Sequence, residues 1–186
     1  AIKRAALLPS NIGYVALSVF SDSTARELKT TVDSLVRAGA TSLTLDLRAN
    51  PGGLLDQGVA VADLFLDRGA RVASTAGRDS ADNVVFTDTA AQRWPKLIVA
   101  ILVDDKSASA AEVVAGALQD HDRAVVLGTT TYGKGSVQHV FPVNTGGAVR
   151  LTTARWLTPL GRFISRPPPK PGADDGDSEP ARPKYR

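Results

Sequence analysis

Two serines, Ser107 and Ser109, open the run SASAAEVVAGALQD, and Lys134 stands between two glycines in TYGKGSVQ. A serine becomes a nucleophile only when a base takes its proton. His121 directly follows Asp120, an order that invites a Ser-His-Asp triad. It lies about a dozen residues beyond Ser109 on one predicted helix, and a rise of about 1.5 Å per residue separates the two widely. His121 therefore reads better as a solvated residue at a helix end. His139 alternates out of a strand beside Gln138 and reads as a surface residue. Lys134 is the other base. Glycines on both sides imply close backbone packing or unusual dihedrals. A lysine buried there would lose hydration, which disfavours its charged form and lets a neutral amine accept a serine proton. Gln138, four residues on, shares a face with Lys134 if the segment is extended, and its amide oxygen could hold the amine. On a solvated hairpin Lys134 would do none of this.

The serine run has two readings as well. In one, Ser107 caps the helix and Ser109 fills its first turn, since a cap hydroxyl satisfies an orphan backbone N–H. In the other, Ser109 is presented at the helix N-terminus. Backbone N–H groups converge there and the dipole favours developing negative charge. The small neighbours Ala108 and Ala110 would admit a polypeptide. A third piece, DLRANPGGLL, places Gly52 and Gly53 between a strand and a helix. Unhindered N–H groups there can bind an anion or an oxyanion, or the pair is simply a connection. Asp46 and Arg48 read as an ion pair.

The elements that must position these residues alternate. IGYVALSVF (12–20) is a strand by its β-branched and aromatic alternation. A helix follows, with Thr24 and Glu27 at capping-box spacing, Leu28, Val32, Leu35 and Val36 at helical spacing, and Gly39 as its stop. TSLTLDLRA is a strand, LLDQGVAVADLFLD a helix and RVASTAG a short strand. The polar stretch 78–92 is a loop or hairpin. KLIVAILVDD, apolar on both faces, is a buried strand, SASAAEVVAGALQD a helix and AVVLGT a strand. YGKGSVQHVFPV and AVRLTTARWLT flank NTGG as a hairpin. This order predicts an α/β fold with a mostly parallel sheet, flanking helices and antiparallel hairpin strands. Residues 1–165 form the folded core, and the Pro/Gly/Asp-rich 166–186 read as a flexible insertion or tail.

Composition narrows the function. With 186 residues and 43% hydrophobic content, one sizeable core can form. The net charge of +3 is scattered, which argues against a nucleic-acid partner. There is no cysteine and there are two unclustered histidines, so no metal site and no cofactor is expected. AIKRAALLP does not read as a signal peptide, and no run approaches the length of a membrane helix. The chain starts without Met and reads as a piece of a longer protein.

Together, IGYVALSVF, LTLDLRANPGGLL, SASAAEVVAGALQDHDRAVVLGTTTYGKGSVQ and LTTARWLTP-x-GR resemble the C-terminal processing peptidases, also called tail-specific proteases, from Asn11 to Arg162. The resemblance implies a crotonase-like core and a Ser/Lys dyad. The middle serine of the family's S-A-S-A-S-E run is Ser109, with Ala111 in place of the third serine. The lysine of T-F-G-K-G is Lys134, with Tyr132 for Phe, and the spacing of the two matches the family. Gln138 would support the lysine, Asp120 would give structural support, and Ala110 and Gly53 would donate to the oxyanion, with Gly52 the weaker choice. The resemblance further implies protein substrates with accessible C-termini, an acyl-enzyme intermediate, a PDZ domain ahead of the first strand that AIKRAALLPSN is too short to supply, and a periplasmic or cell-envelope location. A rival reading is a latent or non-catalytic ligand-binding module of the same fold, as in retinoid-binding proteins related to the family.

Overall fold

The computed structural model describes residues 1–80, 83–143 and 146–165. In chain order the strands of one sheet are β1 (Ile2–Leu8), β2 (Ile12–Leu17), β3 (Ser42–Asp46), β6 (Ile98–Val103) and β7 (Ala124–Gly128). Their spatial order is β1-β2-β3-β6-β7, antiparallel at β1/β2 and parallel at every later pair. The second sheet holds β4 (Arg71–Gly77), β5 (Val85–Thr87), β8 (Ser136–Val143) and β9 (Gly147–Leu157), in the order β5-β4-β9-β8, antiparallel throughout. Helices α1 (Thr24–Arg37), α2 (Leu55–Asp63) and α3 (Ala110–Asp120) complete the fold.

The expected mostly parallel α/β sheet with antiparallel hairpin strands is what forms. β2 alternates because Val15 and Leu17 point into the core while Tyr14 and Ala16 are half-exposed. α1 buries Leu28 and Val32 on one stripe and stops where Gly39 turns at φ +104. α3 is apolar nearly all round and lies in the core with Phe20, Phe65, Leu45 and Ile101. Val72, Ala73 and Trp156 of the second sheet join the same core. Burial of such side chains contributes roughly 1.5–3 kcal/mol each.

Four local expectations need correction. β1 is a strand that the sequence pattern does not predict, because most of IKRAALL faces solvent and carries no alternation. The α1 capping box is not Thr24/Glu27. Ser23 is the cap residue, its hydroxyl donates to Glu27, and Thr24 Oγ1 instead accepts from the Ser21 N–H at 2.8 Å. β6 is not buried on both faces: Ile98 is 72% exposed while Val99, Ile101 and Val103 are buried. Finally, the α3 cap is Ser109 and not Ser107. Residues 166–186 lie outside the described residues.

Candidate active site

The parallel strands β3, β6 and β7 run the same way, and the turns that leave their carboxyl ends carry the candidate residues. Open α/β sheets bind ligands at such an edge. The turn after β6 is fixed first. Asp104 Oδ1 accepts from the N–H groups of Lys106 and Ser107 at 3.1 and 3.0 Å, and reaches across to the Ala49 N–H at 2.9 Å. Burial raises the Asp104 carboxyl, but these donors outweigh it and hold it below its ordinary value. Ser107 is fully buried; its hydroxyl donates to the Leu47 carbonyl at 2.8 Å and accepts from the Asp104 N–H at 2.9 Å. It is thus the structural serine, although it caps no helix.

Ser109 is half-buried and adopts φ 56°, ψ −118°. A non-glycine residue there costs about 1–3 kcal/mol, and the surroundings must over-determine it. They do so through the Ala108 N–H, which donates to the Asn50 carbonyl at 2.9 Å, and through the Ser109 N–H, which donates to Glu112 Oε2 at 2.7 Å. Ala110 begins the helix, so its N–H has no helical acceptor. Ala111 is fully buried.

The NPGG turn packs directly on this one. Asn50 is fully buried; its side-chain amide donates to the Leu17 carbonyl at 2.9 Å and accepts the Gly52 N–H at 2.8 Å. Gly52 has φ +90, and an added Cβ would sit 2.8 Å from Ser109 Cβ and 2.6 Å from the Ala108 carbonyl oxygen. Only glycine permits this approach. Gly53 has φ +143 and bridges Phe20, whose carbonyl oxygen an added Cβ would meet at 2.1 Å. The Gly52 N–H is spent on Asn50, whereas the Gly53 and Ala110 N–H groups have no acceptor among the described residues. The expected ion pair also forms: Arg48 donates to both oxygens of Asp46 at 2.9 and 2.7 Å. Burial raises that carboxyl, but Arg48 and the Tyr14 hydroxyl outweigh it and bring it below its ordinary value.

Lys134 lies on the loop after β7, with Gly133 at φ +83 before it. The Tyr132 N–H donates to the Ser107 carbonyl at 2.9 Å. Glu112, one turn into α3, takes the rest: Oε1 accepts from the Gly133 N–H at 2.6 Å and the Thr131 hydroxyl at 2.7 Å, and Oε2 accepts from the Lys134 N–H at 2.9 Å. With the Ser109 N–H, four donors surround this buried carboxylate. Hydrogen bonds to a charged group contribute about 1.5–3 kcal/mol each, enough to offset its burial. Sequence reasoning missed Glu112. The signal was present, because Ser109-x-x-Glu112 has capping-box spacing and Glu112 is the one charged residue in the apolar run 110–118.

Two premises about the lysine do not hold. Its side chain is exposed, not desolvated. Gln138 does not share its face through even spacing, because β8 begins only at Ser136 and its register shifts between Val137 and Gln138. The Gln138 amide donates to Thr152 Oγ1 at 3.5 Å. Among the described residues no hydrogen bond joins the Ser109 hydroxyl to the Lys134 amine. Beside them a cavity of about 570 Å³ is lined by Pro51, Lys106, Ala108, Tyr132, Lys134 and Ser165.

The remaining candidates lie away from this edge. Asp120, at the far end of α3, accepts from the Leu160 N–H at 2.9 Å and pairs with Arg162. His121 Nε2 donates to the Arg71 carbonyl at 2.7 Å, and His139 bonds Thr153 on the second sheet at 2.6 Å. No cluster of three or more His, Asp or Glu suited to a metal occurs among the described residues. The edge thus brings together a strained serine at a helix N-terminus, free N–H donors on two adjoining turns and a lysine loop tied to the serine's helix. That set suits acyl transfer.

The chain is 42% identical over 158 residues to a carboxy-terminal-processing protease of Bartonella bacilliformis, covering 83% of the chain and 36% of that protein. It is 38% identical over 162 residues to the carboxy-terminal processing protease CtpA of Bacillus subtilis, covering 87% and 34%. It therefore spans about a third of the length of these relatives. Among solved structures, the photosystem II D1 C-terminal processing protease superposes with a TM-score of 0.75 at 35% identity, over 86% of this chain and 42% of that one. The model of peptidase family S41 matches residues 11–172, and the chain belongs to that family.

Proposed function

We propose that this chain carries the catalytic machinery of a serine-type C-terminal processing endopeptidase, acting on polypeptides near their C-termini. The observation that carries the reading is the contact of the Gly52–Gly53 turn with Ser109, a nucleophile-type serine in a strained conformation at a helix N-terminus. Ser109 attacks the scissile carbonyl and Lys134 takes its proton. The oxyanion lies against the Gly53 and Ala110 N–H groups, the C–N bond breaks as protonated Lys134 returns its proton to the leaving amine, and the neutral lysine then deprotonates the water that hydrolyses the acyl-enzyme and frees Ser109. Gln138 orders Lys134 once substrate is bound, and Asp120 supports the far end of α3. A peptide-binding PDZ domain elsewhere in the full-length protein and an extracytoplasmic location belong to the same reading. No helix among the described residues is long and apolar enough to cross a membrane.

Ser109→Ala and Lys134→Ala abolish cleavage of an unfolded test protein by the full-length protein. Lys134→Arg fails too, because arginine stays protonated. Unchanged turnover in any of the three overturns the dyad. A second reading, a latent form, is favoured by the exposed Lys134 side chain and the missing Ser109–Lys134 bond. A fluorophosphonate probe separates the two: a competent site labels at Ser109, and a latent one labels only after substrate or the rest of the protein is supplied.

A further inference from the structure

We propose that Glu112 is the positioning residue that holds the nucleophile turn and the lysine loop in one register; this rests on the peptidase reading above. The four donors around its carboxylate come from two segments only. One is the Ser109 N–H. The other three, the Thr131 hydroxyl and the Gly133 and Lys134 N–H groups, belong to the loop after β7. Each oxygen takes two donors, and Oε2 takes the backbone N–H of Ser109 and that of Lys134. One atom therefore joins the residue that attacks to the residue that removes its proton. Glu112 is 5% exposed and forms no ion pair among the described residues, so these donors are its solvation.

The arrangement answers a question that the exposed lysine raises. The Lys134 amine has no hydrogen-bond partner of its own among the described residues, and Gln138 is turned to Thr152. The place of Lys134 relative to Ser109 is set through its backbone. The Glu112 carboxylate and the Tyr132 N–H bond to the Ser107 carbonyl are the two straps that set it. The lysine side chain itself is left to rotate about its own bonds. Beyond the capping-box bond to Ser109, the other three donors to Glu112 all lie on the lysine loop rather than on the sheet or the core. Because the same oxygen fixes the Ser109 N–H, Glu112 also sets the strained turn that exposes the serine hydroxyl and the Ala110 N–H together.

The test is Glu112→Gln in the full chain. The isosteric amide keeps one acceptor oxygen and turns an NH2 group toward two donors. Three readouts are taken: amide hydrogen exchange, melting temperature, and the pH profile of Ser109 labelling by a fluorophosphonate. Glu112→Gln loses exchange protection at Ser109, Gly133 and Lys134 while the interior of α3 keeps it. Labelling slows by about 10²-fold, the scale of a misplaced reacting group, and the midpoint of the pH profile moves. Thr131→Val, which removes one contact and keeps the carboxylate, gives a smaller loss with the midpoint moved the same way.

Lost protection with an unchanged labelling rate and pH profile overturns the proposal. So does slowed labelling with protection lost along all of α3 and an unmoved midpoint in Thr131→Val, which marks a merely structural role. If the parent does not label even with substrate and the rest of the protein supplied, the peptidase reading fails on its own account. The exchange data still decide the clamp, which stands if loss of protection is confined to the three amides and falls if they stay protected.

Discussion

Ser109 is where the chain accepts strain, and its neighbours are chosen to hold it. Gly52 leaves room for its Cβ, Asn50 holds the adjoining turn, and Glu112 binds its N–H. Gly53 is under the same constraint from the other side. In Gly53→Ala the new Cβ would meet the Phe20 carbonyl oxygen at 2.1 Å with φ at +143, so the turn must move and take its free N–H with it. Turnover of the full-length protein falls by about 10²–10³-fold, the usual effect of losing one oxyanion donor. Measurement of kcat well below the melting temperature checks this, and a kcat within a few-fold of the parent removes Gly53 from the oxyanion site. Of the residues read from sequence, Ser107, Ser109, Lys134 and the glycine pair were each weak signals locally and stood out through their joint resemblance to the C-terminal processing peptidases. Asn50 did not, since its Leu17 partner stands on another segment, and three of the four Glu112 donors likewise come from another loop.

At the scale of elements, α3 carries function at its first turn and anchorage at its last. Asp120 is nearly buried and accepts from the Leu160 N–H while pairing with a half-exposed Arg162, so it pins the turn after β9 to the helix. Asp120→Ala leaves that N–H and the guanidinium without their acceptor. A loss of about 1–3 kcal/mol in unfolding free energy is expected, as for a hydrogen bond to a charged group. Denaturant unfolding measures it, and a change below a few tenths of a kcal/mol rejects the anchoring role. The helices and β2 were readable from their period, and β6 from its continuous apolar run. β1 escaped because it is exposed along most of its length, and the even spacing of Lys134 and Gln138 misled because a register shift intervenes.

At the scale of the whole molecule, helix layer and second sheet meet at a carboxyl pair. Asp88, just after β5, faces Asp63 at the end of α2. Burial first, then the Asp63 carboxyl, push Asp88 from an ordinary 3.8 up to about 7. Across that window the folded state keeps a proton that the unfolded chain releases, so stability falls as pH rises from about 4 to about 7. Asp88→Asn removes the dependence. Its gain in melting temperature grows from pH 5 to pH 8, at about 2–4 °C per kcal/mol for a chain of this size. Thermal melts at the two pH values check it, and an equal gain at both overturns the assignment. The isolated chain spans about a third of its relatives' length, so labelling of the chain and turnover of the full-length protein are separate measurements.

The sequence alone determined the α/β class and, apart from β1, the order of the main elements, because periodicity is a property of neighbours along a chain, while Ser109 and Lys134 were singled out by resemblance to the C-terminal processing peptidases. Only the tertiary structure decided that Ser109 rather than Ser107 caps α3, that Lys134 stands in solvent, that Gln138 turns to Thr152 and that Glu112 joins the two turns. Each of those facts depends on which donors from distant segments arrive at one buried oxygen or one open edge. That choice is made when parallel strands come together at their carboxyl ends, and no local stretch of residues contains it.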